Sequence, residues 1–194
     1  LKRLDQLILK GTGAIEIKSG YGLSLESELK ILRVIKRLKE NSRATIKSTF
    51  LGAHAIPSEY KNNKNEYIDL IINEMLPAIA SEGLADFIDI FCEKGYFDIN
   101  DTRKLLQAGK KYGLKGKTHV NQFNSFGGVK ESIVNGCISV DHLEVMNEED
   151  FLAFENTNCI ATLLPSCSFF LGIPYSPAKE FIKRNIPFNL ASDF

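Results

Sequence analysis

The sequence predicts an α/β fold of the (β/α)8 TIM-type barrel, incomplete in these 194 residues, with the first strand and the last helix missing. Three observations lead there. Short β-type runs alternate with longer segments of helical period, which implies a parallel sheet covered on both faces. No Gly-rich phosphate turn of the dinucleotide or P-loop kind follows an early strand, as a doubly wound sheet would be expected to carry, and Gly20-Tyr21-Gly22 is only a weak approximation to one. All three histidines stand at or just beyond the carboxyl end of a strand-like run, the end on which barrel active sites are built.

The elements follow in order from apolar spacing and from Gly, Asn or Pro at the borders. Leu1, Leu4, Leu7 and Ile8 have helical spacing. The run Ala14 to Lys18 precedes a Ser-Gly-Tyr-Gly turn and a helix from Leu25 to Glu40, capped by Ser24 and buried along Leu29, Leu32, Ile35 and Leu38. Thr45 to Leu51 leads through a polar loop at Asn62-Asn63 into a helix from Glu66 to Ser81. Phe87 to Phe91 is followed by a helix from Asn100 to Tyr112, ended by Gly113, and Gly116 to Val120 by a helix from Phe126 to Val134. Ile138 to Val140, Ile160 to Leu164 and Pro187 to Ala191 complete seven strand-like runs, separated by helices at Glu148 to Phe154 and Pro177 to Lys183. Seven strands, with no initiator methionine and a stop just after an apolar run, suggest a single barrel domain over 1–194 that is internal to a protein of roughly 400 residues.

Composition narrows the function classes. Lys plus Arg equals Asp plus Glu at 24 each, so no global field draws the chain to nucleic acid or to an acidic membrane. A small ligand fits better. Cys92, Cys137, Cys159 and Cys167 form no C-x-x-C pair, which argues for reduced thiols and a cytoplasmic location. No run approaches the roughly 20 apolar residues of a membrane span, and no signal segment opens the chain. Lys36-Arg37 with Lys39, and Lys61 with Lys64, read as solvated charges. A homodimer is left open as the assembly.

His54, His119 and His142, with Asp193 at the end of the last strand, are therefore brought to one mouth from positions far apart in sequence. A single histidine is more often a surface or hydrogen-bonded core residue, but three of three at strand ends points to chemistry. Imidazole and carboxylate are ligands that zinc or iron accepts in a catalytic site. His119 and Asp193 supply one of each, too few to hold a hydrolytic metal alone, so the remaining ligands are expected on the missing first strand. Cys92-Glu93 at the end of the third run reads more simply as a buried thiol followed by a capping or ion-paired carboxylate than as a catalytic pair.

Several segments resemble successive blocks of the imidazolonepropionase family of metal-dependent amidohydrolases. They are Glu16-Ile17-Lys18-Ser19-Gly20-Tyr21-Gly22-Leu23, Thr49-Phe50-Leu51-Gly52-Ala53-His54, Glu74-Met75-Leu76-Pro77 and Asp89-Ile90-Phe91-Cys92-Glu93. Ser139-Val140-Asp141-His142-Leu143-Glu144, Leu163-Leu164-Pro165 and Ala191-Ser192-Asp193-Phe194 continue the match in order to the last residue. The resemblance implies one zinc or iron ion, with His119 its fifth-strand ligand and Asp193 its eighth-strand ligand. It places Tyr21 and His54 against an imidazolone substrate and His142 near the reacting centre. The family's first-strand His-x-His has no counterpart here. Many members also carry a glutamate where this chain has Gln122, which hydrogen-bonds but takes no proton.

The implied reaction is hydrolytic ring opening of 4-imidazolone-5-propionate to N-formimino-L-glutamate in histidine degradation. Asp193 is expected to relay the proton, His142 to stabilise the oxyanion, and Gln122 to serve in catalysis and substrate binding. The alternatives are another metal-dependent amidohydrolase, a cyclic amidase or nucleobase deaminase, or an inactive barrel fragment.

Overall fold

A computed structural model describes residues 2–194. In chain order the elements are α1 (Lys2–Leu9), β1 (Ala14–Lys18), α2 (Leu25–Asn41), β2 (Thr45–Ala53), α3 (Lys64–Leu70), α4 (Leu76–Glu82), β3 (Phe87–Cys92) and α5 (Ile99–Lys111). They continue with β4 (Lys115–Val120), α6 (Gly128–Val134), β5 (Ser139–His142), α7 (Glu148–Leu152), β6 (Ile160–Leu163), α8 (Pro165–Leu171), α9 (Ala178–Lys183) and β7 (Phe188–Leu190). The seven strands are all parallel and lie in strictly sequential order, β1 to β7, with β1 and β7 as the two edges. That order decides between the two α/β architectures. A doubly wound sheet reverses its strand order at a switch point, whereas a barrel winds one way. The sheet is a curled, incomplete (β/α) barrel.

One strand face packs on the helices and the other faces the barrel axis. Phe50, Ile88, Ile90, Val120 and Val140 are all buried and belong to one apolar core with Leu32 and Ile35 of α2, Leu105 and Leu106 of α5 and Val129 of α6. Burying a side chain of this size contributes about 1.5–3 kcal/mol each, so this outer layer is the main stabilising term.

The expected elements are present with shifted borders and two differences of substance. The expected helix from Glu66 to Ser81 is divided: α3 and α4 are joined by a π-helical segment, Ile71–Met75. Pro77 gives the reason, because a proline inside a helix removes a donor and crowds the carbonyl four residues back, and a wider turn relieves both. The second difference is α8, which begins at Pro165, where sequence reasoning saw only the end of a strand-like run. Proline at the first turn of a helix loses no bond. The capping expected at Ser24 is present, its hydroxyl accepting from Ser27 N–H at 3.3 Å. Of the stripe on α2, Leu29, Leu32 and Ile35 are buried and Leu38 packs against the core at its margin. All four cysteines are free thiols, three of them buried. Among the described residues, no helix is long and apolar enough to cross a membrane.

Tyr67 ties this packing to the mouth. Its ring is fully buried, and its hydroxyl donates to the Gly52 carbonyl at 2.7 Å, two residues before His54. Tyr67→Phe leaves that carbonyl buried without a partner and should cost about 1–3 kcal/mol. The denaturant midpoint of the full-length protein measures this, and an unchanged midpoint refutes the contribution.

Candidate active site

The interior of the sheet is charged. Aliphatic layers usually fill such barrels, but here Lys18 of β1 reaches Asp89 of β3 at 2.8 Å and Asp141 of β5 at 3.2 Å. Glu16 receives Lys18 at 2.6 Å, Lys117 of β4 at 2.5 Å and the Thr49 hydroxyl at 2.5 Å. Burial opposes the charged form of Lys18, and Asp89, Asp141 and Glu16 more than reverse it, so its ammonium is held well above the usual lysine range. Burial likewise works against the Asp89 carboxylate, yet His119, Lys18 and Lys117 pull it far below its ordinary value. Asp141 is lowered in the same way by Lys18 and Lys117. Three carboxylates, Glu16, Asp89 and Asp141, meet two ammonium groups, Lys18 and Lys117, and Asp89 also faces His119.

His119 sits near the carboxyl end of β4 with its Nδ1 3.0 Å from Asp89. A carboxylate only accepts, so Nδ1 carries the proton in this bond and Nε2 is left free. Burial lowers the His119 pKa and Asp89 raises it by more, so the net direction is up. The imidazole is thus held in one tautomer, in a field that favours a positive charge at its other nitrogen.

Among the described residues, one set of metal-capable side chains lies close together: Asp89, His119 and Asp141. A cation already holds these carboxylates, for the Lys18 ammonium contacts both. We therefore assign the two carboxylates to orientation and charge balance rather than to ligation, which leaves the His119 Nε2 free.

Two of the three histidines meet, and the third joins them through Phe91. His142, last residue of β5, pairs in register with Val120 and has its ring centroid 5.3 Å from that of His119. Phe91 lies 6.4 Å from His119 and 6.2 Å from His54, and Tyr21 makes an edge contact with His54 at 5.1 Å. Tyr21, His54, Phe91, His119 and His142 thus form a continuous aromatic row across the mouth. The His54 Nδ1 lies 3.0 Å from the Gly20 carbonyl, to which it donates, and burial lowers its pKa, so the ring is neutral at neutral pH. Tyr21 is 79% exposed, on the open side of the row.

Asp193 lies three residues beyond β7 with φ of 55°, near the Cys167 thiol. Burial and then Asp193 push that thiol up to about 12. Cys167 is also 3.7 Å from the Gln122 amide nitrogen, so Gln122 and Asp193 flank the same side chain.

The loops carrying these groups are held by buried polar side chains. Glu28 accepts from the backbone N–H groups of Gly20, Gly22 and Leu23 at 2.8–2.9 Å, fixing the loop that bears Tyr21. Gly20 has φ of +104°, and a Cβ there would meet the Leu51 carbonyl at 2.5 Å, so only glycine fits. Glu93 accepts from Phe123 and Asn124 N–H at 2.9 and 3.2 Å, and Cys92 is fully buried, which matches the structural reading of that pair. Asn121, at φ of 57°, donates to the Val145 carbonyl and to Asp150 at 2.9 Å each, locking the turn before Gln122.

Sequence reasoning missed Lys18, Asp89, Asp141, Lys117 and Glu16 as a unit, because residues on different strands meet only once strand order is known. The available signal was charge at alternate positions inside strands predicted to be buried, as in Glu16-x-Lys18 and Lys117-x-His119.

No protein-family profile matches the chain. The chain is similar from end to end to curated proteins named imidazolonepropionase. It is 60% identical to that of Christiangramia forsetii over 193 residues, covering 100% of this chain and 47% of the relative. With that of Flavobacterium johnsoniae it shares 57% over 192 residues, 99% of this chain and 47% of the relative. With that of Thermoanaerobacter pseudethanolicus it shares 41% over 194 residues, again 47% of the relative. The chain spans about half the length of the curated relatives it matches. Among solved structures it superposes on guanine deaminase from C. acetobutylicum with a TM-score of 0.73 at 14% identity, covering 100% of this chain and 49% of that one. A mutant atrazine chlorohydrolase from Arthrobacter aurescens complexed with zinc gives 0.71 at 12%, covering 97% and 46%. These two likenesses concern the fold alone.

If Lys18 is the counter-ion of the buried carboxylates, Lys18→Met leaves Asp89 and Asp141 uncompensated and should destabilise the full-length protein by about 3–5 kcal/mol. Stability equal to wild type in chemical denaturation would show that Lys18 does not hold the network together.

Proposed function

We propose that this chain is an internal portion of an imidazolonepropionase barrel, and that the whole protein opens the ring of 4-imidazolone-5-propionate by hydrolysis to N-formimino-L-glutamate in histidine degradation. The observation that carries this reading is whole-chain similarity of 41–60% to proteins of that name, joined to a mouth where His54, His119 and His142 form one row. Nucleobase deamination rests only on structural likenesses of 14% identity or less, which concern the fold.

The donor set fits one zinc or iron ion in part. His119 offers Nε2 because Asp89 occupies Nδ1. Asp193, just beyond the last strand, would supply an oxygen. The other ligands belong to the strand expected between β7 and β1, outside this chain. When bound, such an ion activates water at neutral pH and polarises a carbonyl.

The remaining work falls to side chains on this chain. Asp193 accepts the proton of the attacking water and returns it to the departing ring nitrogen. His142 donates to the developing oxyanion, a role worth about 3–4 kcal/mol for a positioned donor. Gln122 orients water or substrate through its amide, and His54 and Tyr21 hold the imidazolone ring. The protein acts in the cytoplasm on a small molecule, without nucleic acid or membrane.

The direct test is conversion of imidazolone propionate by the full-length protein, followed by formiminoglutamate formation. Ammonia release from a nucleobase without ring opening of imidazolone propionate would overturn the assignment. His119→Ala and Asp193→Ala should each empty the metal site by elemental analysis, and full occupancy in both would remove them as ligands. Gln122→Glu should keep kcat within about tenfold of wild type, near 1.4 kcal/mol in barrier, whereas Gln122→Leu should lose more. Equal rates for wild type and Gln122→Leu would leave Gln122 without a role.

A further inference from the structure

Two buried polar atoms at the mouth lack any partner and sit on neighbouring side chains: His142 Nδ1 and Glu144 Oε2. The His142 Nδ1 is 3.5 Å from the other oxygen of the same carboxylate, Glu144 Oε1. Both side chains are almost fully enclosed, at 4% and 1% exposure, so water does not readily supply the missing bonds. The backbone between them is constrained, with His142 at φ of 83° and Leu143 at 65°, conformations that residues with a side chain adopt at a cost. Three contacts hold this geometry. Leu143 N–H donates to the Val120 carbonyl at 3.2 Å, the Ser176 hydroxyl donates to the His142 carbonyl at 2.7 Å, and the Ser168 hydroxyl donates to Glu144 Oε1 at 2.9 Å.

From this geometry we infer that Glu144 is a positioning residue for His142, held by Ser168, which fixes the imidazole with its proton on Nδ1 and its Nε2 toward the reacting centre. A carboxylate facing Nδ1 at this distance repels a lone pair and attracts a proton, so one tautomer is selected. The 3.5 Å gap exceeds a formed hydrogen bond, and such contacts in unliganded sites tighten when substrate is bound. His142 is then ordered as His119 is, by a carboxylate on the far side of the ring. The two imidazoles that lie 5.3 Å apart are oriented by separate acids, Glu144 and Asp89. The inference rests on the proposed role of His142.

The test uses the full-length protein with kinetics on imidazolone propionate and the ¹⁵N spectrum of His142 in a zinc-loaded, diamagnetic preparation. Glu144→Leu removes the acceptor and should lower kcat about 10–100-fold, the range typical of lost orienting partners, with KM within about threefold and the Nδ1–H signature lost. Glu144→Gln keeps an acceptor oxygen and should restore most of kcat and the tautomer. Ser168→Ala, a milder change should Glu144→Leu fail to fold, should lower kcat several-fold at constant KM. Unchanged kcat in Ser168→Ala and Glu144→Leu overturns the inference, as does a loss of kcat with the Nδ1–H signature intact. His142→Ala separates the two ideas: wild-type activity there defeats the role of His142 itself, whereas its loss beside fully active Glu144 variants defeats only the positioning role.

Discussion

The bond between Asp89 and His119 is the contact on which the site depends, and it depends in turn on Lys18. Asp89 is fully buried, and an unpaired carboxylate in such a place would take up a proton or destabilise the barrel. Lys18 prevents this from one side at 2.8 Å and His119 from the other at 3.0 Å. The consequence reaches the mouth, because fixing the proton on Nδ1 leaves Nε2 as an unprotonated nitrogen on a held ring. Replacing an aliphatic interior by ion pairs forfeits apolar burial and desolvates charge. What the barrel retains in exchange is a rigid, electrically biased floor beneath the mouth.

The walls of the mouth obey a related constraint. Asn121, His142, Leu143 and Asp193 all have positive φ, and all lie at or just beyond the carboxyl ends of β4, β5 and β7. Asparagine and aspartate tolerate this region, but for His142 and Leu143 it is unfavourable, and the surrounding bonds must over-determine it. They do so. Side chains from other elements tie these turns and loops: the buried Asp150 for Asn121, the half-buried Ser176 for His142, and the buried Glu93 and Glu28 for the loop after Gln122 and the loop bearing Tyr21. Orientation at the mouth is thus carried by stiff loops on a packed scaffold rather than by long mobile segments.

Local periodicity was enough to read the barrel, because each βα unit writes its own pattern of buried and exposed positions, and the seven strand-like runs all became strands. The convergence of His54, His119 and His142 was legible for the same reason: a strand's carboxyl end is a local property, and the fold maps all such ends to one place. What escaped was whatever required a partner across the sheet. Glu16, Lys18, Asp89, Lys117 and Asp141 are spread over 126 positions and look individually like ordinary charges. Only parallel, sequential strand order puts β1, β3, β4 and β5 side chains on one axis. The division of the Glu66 to Ser81 helix was missed although Pro77 was visible, since a proline near a helix start and a proline after a widened turn share the same local sequence.

The corner formed by Gln122, Cys167 and Asp193 limits how protons can move. Gln122 carries an amide that neither gains nor loses a proton near neutral pH. Cys167, whose sulfur accepts from the Gln122 amide at 3.7 Å, has its thiol pushed up to about 12, chiefly by burial, so it stays protonated at neutral pH. Of the three, only Asp193 carries a carboxyl group. An enzyme with glutamate at position 122 would hold two carboxylates around this corner and could divide acceptance between them. With glutamine there, the amide donates to the thiol at 3.7 Å, which orders the corner without adding a base. The proton relay proposed for this protein therefore converges on one oxygen-bearing group, and Gln122 contributes direction rather than basicity.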